Sequence, residues 1–113
     1  MKKEEILEKT AKEYFDAAED ELRNSRFNSS VVLFFKSLIA LSDLYILQNT
    51  GDTPSSHTER FRILQENFQE VYDLVDKDFP FYQNSYVQLM PKELAEVIKD
   101  DAKFMAEKTK IKL

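Results

Sequence analysis

The sequence predicts an all-α protein, an up-and-down bundle of four to five helices. Apolar residues recur at helical spacing in segment after segment, and no alternating period-2 stretch of useful length interrupts them. The apolar share, 42% with nine Phe and five Tyr, is enough to fill a compact core and too high for intrinsic disorder. At 113 residues the chain reads as one domain, residues 1–113.

The first helix is expected from about Lys3 to Asn24. Leu7, Ala11, Tyr14, Phe15, Ala18 and Leu22 fall on one stripe, and Glu4, Glu5 and Glu8 place negative charge near the positive end of the helix dipole. Asn24–Asn28 reads as a short connection, with Asn28 or Ser29 as the next N-cap. The second helix, Ser29 to about Gln48, is apolar almost all round: 13 of the 17 residues from Val31 to Leu47 are hydrophobic. Such a helix must be covered on several sides, which predicts a central position and a face left for a second subunit. The run is short for a membrane span, and Lys36 and Asp43 interrupt it, so no membrane is expected.

Asn49–Ser56 is the one clear loop, with Gly51 placed to end the second helix and Pro54 forbidding its continuation. Ser55 or Ser56 caps a third helix to about Asp76, with Phe61, Leu64, Phe68, Val71, Tyr72 and Val75 on its stripe. Pro80 is expected to break that pattern, leaving a short helical piece over Tyr82–Leu89. Pro91 fits the first position of a last helix to about Thr109, with Leu94, Val97, Ile98, Ala102 and Met105 inward. The Lys-rich end (Lys108, Lys110, Lys112) reads as a solvated, frayed tail.

Composition excludes several kinds of chemistry. A net charge of −5 argues against DNA or other non-specific nucleic-acid binding, which needs clustered positive charge. Without Cys there is no disulfide, thiolate or zinc–sulfur site. One His and one Gly exclude multi-histidine metal sites and glycine-rich phosphate loops, so neither metal nor cofactor is expected. The opening Met1-Lys-Lys-Glu-Glu carries no apolar run, and a cytoplasmic location is expected.

Paired acids one turn apart (Asp16 and Glu19, Glu70 and Asp73, Glu93 and Glu96) have a spacing used for magnesium. On a helical wheel they fall outside the apolar stripes, which reads as solvated surface. Asp101 and Lys36 lie within apolar segments and must reach solvent or a partner. Lys36 and Asp43 share a face from which they can meet charges of a neighbouring helix. His57 opens the third helix with Arg60 one turn on, and these are the best pair for gripping an anion. No evident nucleophile or base adjoins His57, and no catalytic residue is assigned.

The order of these segments resembles the HEPN family of small prokaryotic helical domains. The residues that carry it are Ala17-Ala18-Glu19-Asp20-Glu21-Leu22, the turn Arg26-Phe27-Asn28, and Lys36-Ser37-Leu38-Ile39-Ala40-Leu41. Gly51, Pro54 and Ser56-His57, then Tyr82 and Tyr86, then Ala102-Lys103-Phe104 complete it, over roughly Tyr14 to Ala106. The resemblance implies a bundle that is commonly dimeric and often works beside a small nucleotidyltransferase in toxin–antitoxin or defence pairs. Many such domains are metal-independent ribonucleases with an Arg followed four to six residues later by His. That motif is absent: His57 lies 31 residues after Arg26, no His follows Tyr82, and Gln83-Asn84-Ser85 precede Tyr86.

The expectation is therefore a non-catalytic interaction or nucleotide-binding module, a homodimer or bound to a nucleotidyltransferase partner, with His57, Arg60 and Tyr86 as ligand-binding candidates. The alternative is an enzyme acting on RNA or a nucleotide with those same three residues gathered in a cleft.

Overall fold

The segment that is apolar on every side becomes the helix that every other helix covers. The computed structural model describes residues 1–113 and contains α1 (Lys3–Arg23), α2 (Phe27–Thr50), α3 (His57–Asn67), α4 (Gln69–Asn84) and α5 (Lys92–Thr109). These helices hold 80% of the residues, no strand is present, and the architecture is an all-α bundle.

α1 lies antiparallel along α2. Ser30 donates its hydroxyl proton to the Ala18 carbonyl (3.1 Å) and Ser37 to that of Ala11 (2.8 Å). Seven residues forward on α2 are thus seven residues back on α1. The small side chains at all four positions bring the two backbones close, because interaxial distance follows side-chain size at the contact. α4 also opposes α2, with Phe79 beside Phe35 and Phe68 beside Tyr45. α5 runs with α2: Met90 lies beside Asn28 at one end and Thr109 beside Gln48 at the other. Direction therefore alternates through α1, α2, α4 and α5.

Val31, Phe34, Leu38, Leu41 and Leu44 of α2 are fully buried, and the core adds Phe15, Leu64, Val71, Val75, Ile98 and Met105. Truncating any of these large side chains removes buried methylenes and opens a void, at about 2–5 kcal/mol each. α2 is long and apolar enough to cross a membrane by length and composition alone, and its burial within the bundle accounts for that composition. The positions of α2 left exposed are polar: Ser29, Lys36, Gln48, Asn49 and Thr50.

Several boundaries differ from the sequence expectation. α2 begins at Phe27, two residues early, and neither Asn28 nor Ser29 caps it. The Asn28 amide is instead spent on a distant turn, donating to the carbonyls of Ser85 and Gln88 and accepting from the Met90 N–H, all at 2.8 Å. Gly51 does end α2, at φ 83°, with its N–H on the Leu47 carbonyl. Ser56 is the cap of α3: its hydroxyl accepts the Glu59 N–H (3.1 Å).

The third helix ends at Asn67 rather than Asp76, because Phe68 leaves helical geometry (φ −138°, ψ 68°) with its ring packed edge-on against Tyr45. Pro80 does not break the chain but lies inside α4. Asp76 and Pro80 are both exposed, so the carbonyl that loses its partner faces water. Tyr82–Leu89 is accordingly no separate helix but the end of α4 and a turn. Pro91 is the cap residue of α5 rather than its first helical residue, and Val97 faces out at 37% exposure while Ala95 faces in. The C-terminal end is not wholly a frayed tail either: Thr109 is buried, Ile111 packs on the core, and Lys108 pairs with Glu70 at 2.9 Å.

Candidate functional site

The Asn49–Ser56 loop and the Ser56 cap set the first turn of α3 against α2. The Glu59 carboxylate reinforces that turn by accepting the N–H and hydroxyl of Ser55 (3.1 and 2.9 Å). Arg60 then reaches back to α2 and grips Asp43 with two parallel bonds, Nε to Oδ1 at 2.6 Å and Nη2 to Oδ2 at 2.9 Å. Both side chains are only 14% exposed, so the fork-to-fork geometry compensates two charges largely removed from water.

The remaining arm of Arg60 holds His57, with Nη1 2.9 Å from Nδ1. A guanidinium only donates, so Nδ1 must accept and the ring proton resides on Nε2. The imidazole packs against the touching rings of Phe61 and Phe79, both 4.8 Å away. Burial and the neighbouring guanidinium lower its pKa below the ordinary histidine value, opposed in part by Asp43. His57 is thus a neutral donor near pH 7, and neither nitrogen offers a free lone pair.

Beside this chain of contacts lies an open groove of about 330 Å³ between α1, α2 and the end of α4. Tyr14, Phe35 and Tyr82 supply its aromatic wall, and Lys36, Asp43 and His57 its polar one. Tyr82 stacks on Phe35 at 4.8 Å and 20°. Lys36 lines the groove with its Nζ 6.0 Å from the centre of the Tyr14 ring, and it makes no ion pair.

Of the three residues singled out from sequence, His57 and Arg60 meet. Tyr86 does not join them: it is 71% exposed on the turn after α4. Its hydroxyl bonds that of Tyr82 (3.0 Å), and this bond is the first cause raising the Tyr82 pKa. Sequence reasoning missed Tyr14, Phe35 and Tyr82 as groove residues, because each reads equally well as ordinary core.

A second charged cluster joins α4 to α5. Asp78 is fully buried with both carboxylate oxygens lacking a hydrogen-bond partner. Lys77 Nζ lies 2.9 Å from Asp101 and 3.7 Å from Asp78. Burial first, then the adjacent Asp101, push Asp78 up to about 8, so it holds its proton at neutral pH. The paired acids noted from sequence stay on outer surfaces: Asp16, Glu70, Asp73, Glu93 and Glu96 are exposed, and Glu19 pairs with Lys99 (2.9 Å). No three acidic or histidine side chains converge to hold a metal ion.

Fold and groove together define an all-α bundle with one cationic aromatic cleft. No protein-family model matches the chain, and no curated protein matches it.

Proposed function

We propose that this protein is a non-catalytic nucleotide-binding module of the HEPN-like kind that its sequence resembles. The observation that carries the reading is the juxtaposition of Lys36, which has no carboxylate partner, with three aromatic side chains around about 330 Å³. That volume lies within the range of small-ligand clefts. Aromatic faces take a planar base, the ammonium takes a phosphate, and Nε2–H of His57 adds a neutral donor. Arg60 contributes position rather than charge, since Asp43 already neutralises it. The cytoplasmic role beside a small nucleotidyltransferase, in a toxin–antitoxin or defence pair, belongs to the same proposal and is supported by the resemblance.

A second reading, a metal-independent ribonuclease or nucleotide-processing enzyme, draws on the contact between His57 and Arg60. Against it stands the state of the imidazole: Nδ1 accepts from Arg60 and Nε2 carries the proton, which leaves no general base where a hydroxyl must lose its proton.

Calorimetric titration with the four nucleoside monophosphates tests the first reading. Saturable binding of at least one is expected, with affinity falling about tenfold in Lys36→Ala for the loss of one phosphate contact. No saturation by any of the four, or a Lys36→Ala variant that binds as the parent does, overturns it. Cleavage of single-stranded RNA by the parent that disappears in His57→Ala favours the enzyme instead.

A further inference from the structure

The cleft does not end at His57. Leu7 of α1 and Asp43 of α2 line it, and the same two residues line a second recess of about 250 Å³. Lys3, Ile6, Thr53 and Pro54 complete that recess, at the start of α1 and in the loop after α2. By itself it falls below the ~300 Å³ typical of the smallest ligand pockets. Joined to the cleft through shared walls, it lengthens one site.

The chemistry of the recess repeats that of the cleft. Ile6 is 48% exposed, the one large apolar side chain of α1 to be so open, and with Pro54 it offers an apolar surface. Lys3 brings a cation. Its Nζ meets Asp52 only at 3.9 Å, with both side chains largely exposed, and a pair of that kind holds an ammonium weakly. Asp43 stands where the two recesses join, and Arg60 already neutralises it, so it does not bar a phosphate. The loop wall is set before any ligand arrives: Thr50 Oγ1 accepts the Asp52 N–H (3.3 Å), and Asp52 Oδ1 accepts that of Thr53 (3.1 Å).

Length limits what can fill both parts. Tyr14, on the aromatic wall, and Ile6 are eight residues apart on α1, about 12 Å along the axis. Stacked bases are separated by only about 3.4 Å, so a ligand that reaches both surfaces holds two planar groups apart.

We propose that cleft and recess form one extended site for a dinucleotide. The first base lies on the Tyr14, Phe35 and Tyr82 wall with its phosphate at Lys36. The second lies against Ile6 and Pro54 with its phosphate at Lys3. This inference rests on the reading of the cleft as a nucleotide site and adds the class of nucleotide.

Calorimetric titration of the full chain with adenosine monophosphate and with the 5′-phosphorylated dinucleotide pApA tests it. The dinucleotide should bind at least about tenfold tighter, for one added phosphate contact and one added base. Lys3→Ala and Ile6→Ser, both at exposed positions, should each lose most of that gain and bind adenosine monophosphate as the parent does. A dinucleotide that binds no tighter than the monophosphate overturns the extended site and leaves the cleft reading standing. So does a gain that survives in either variant. Binding of neither ligand overturns both.

Discussion

The molecule carries two clusters in which a basic side chain meets buried acid, and they solve the same problem differently. Between α2 and α3, Arg60 offers a planar fork to one carboxylate and satisfies both oxygens of Asp43. Between α4 and α5, the single ammonium of Lys77 faces two carboxyl groups, and both oxygens of Asp78 stay unpartnered. The first cluster is electrically closed and forms a fixed wall beside the groove. The second is neutralised by a retained proton, which ties its stability to pH. Burial does most to hold the proton on Asp78, and the geometry of the cation decides whether a carboxylate taken out of water has both oxygens satisfied.

The largest effect is expected where the closed cluster is opened. Arg60→Ala leaves Asp43 buried without its partner and should cost about 3 kcal/mol in urea unfolding at pH 7. Arg60→Lys should recover only part of that loss, because one ammonium cannot bond both oxygens. Equal stability of Arg60→Ala and the parent would erase the distinction drawn between the two clusters.

A smaller and pH-dependent effect should appear at the other cluster. Asp78 holds its proton up to about 8 in the fold against 3.8 in the unfolded chain. The folded state therefore binds more protons across that interval, and this contribution to stability falls as pH rises from about 4 to about 8. In Asp78→Asn it is absent. Relative to the parent, the variant should gain about 2 kcal/mol between about pH 6 and about pH 7.5. His57 acts with the opposite sign: its lowered pKa gives stability that is present above 6.5 and lost as pH falls. That contribution is shared by parent and variant, and it cancels in the difference. A parent and variant with parallel pH profiles would contradict the protonated Asp78.

The same contrast explains what was legible in the sequence. Period and cap chemistry are local, so α1, the Gly51 terminus, the Ser56 cap and the end of α5 at Thr109 could be read directly. The break at Phe68 is tertiary, made by its contact with Tyr45, and carries no local signal. Placing the break at Pro80 instead hid Asp78. Continued through the proline, the stripe Val71, Val75, Asp78, Tyr82 puts that acid on the inward face. At the groove, His57, Arg60, Lys36 and Asp43 stood out as charged or titratable groups in notable places. The His57–Arg60 pair is legible as neighbours one turn apart, and Asp43 as facing charges of another helix, but that Arg60 is its partner is not, because the pair joins residues 17 apart across two helices. Locally Asn28 reads as a cap, a role Asn favours, whereas its actual partners lie about 60 residues away.

The central claim is that the cleft between α1, α2 and the end of α4 receives the ligand. Amide and side-chain chemical shifts followed while adenosine monophosphate is added report on it most directly. The account predicts saturable shifts concentrated at Tyr14, Lys36, His57 and Tyr82, with the Lys77, Asp78 and Asp101 cluster silent. Shifts absent throughout, or centred on the α4–α5 cluster or on the turn at Tyr86–Leu89, would contradict it.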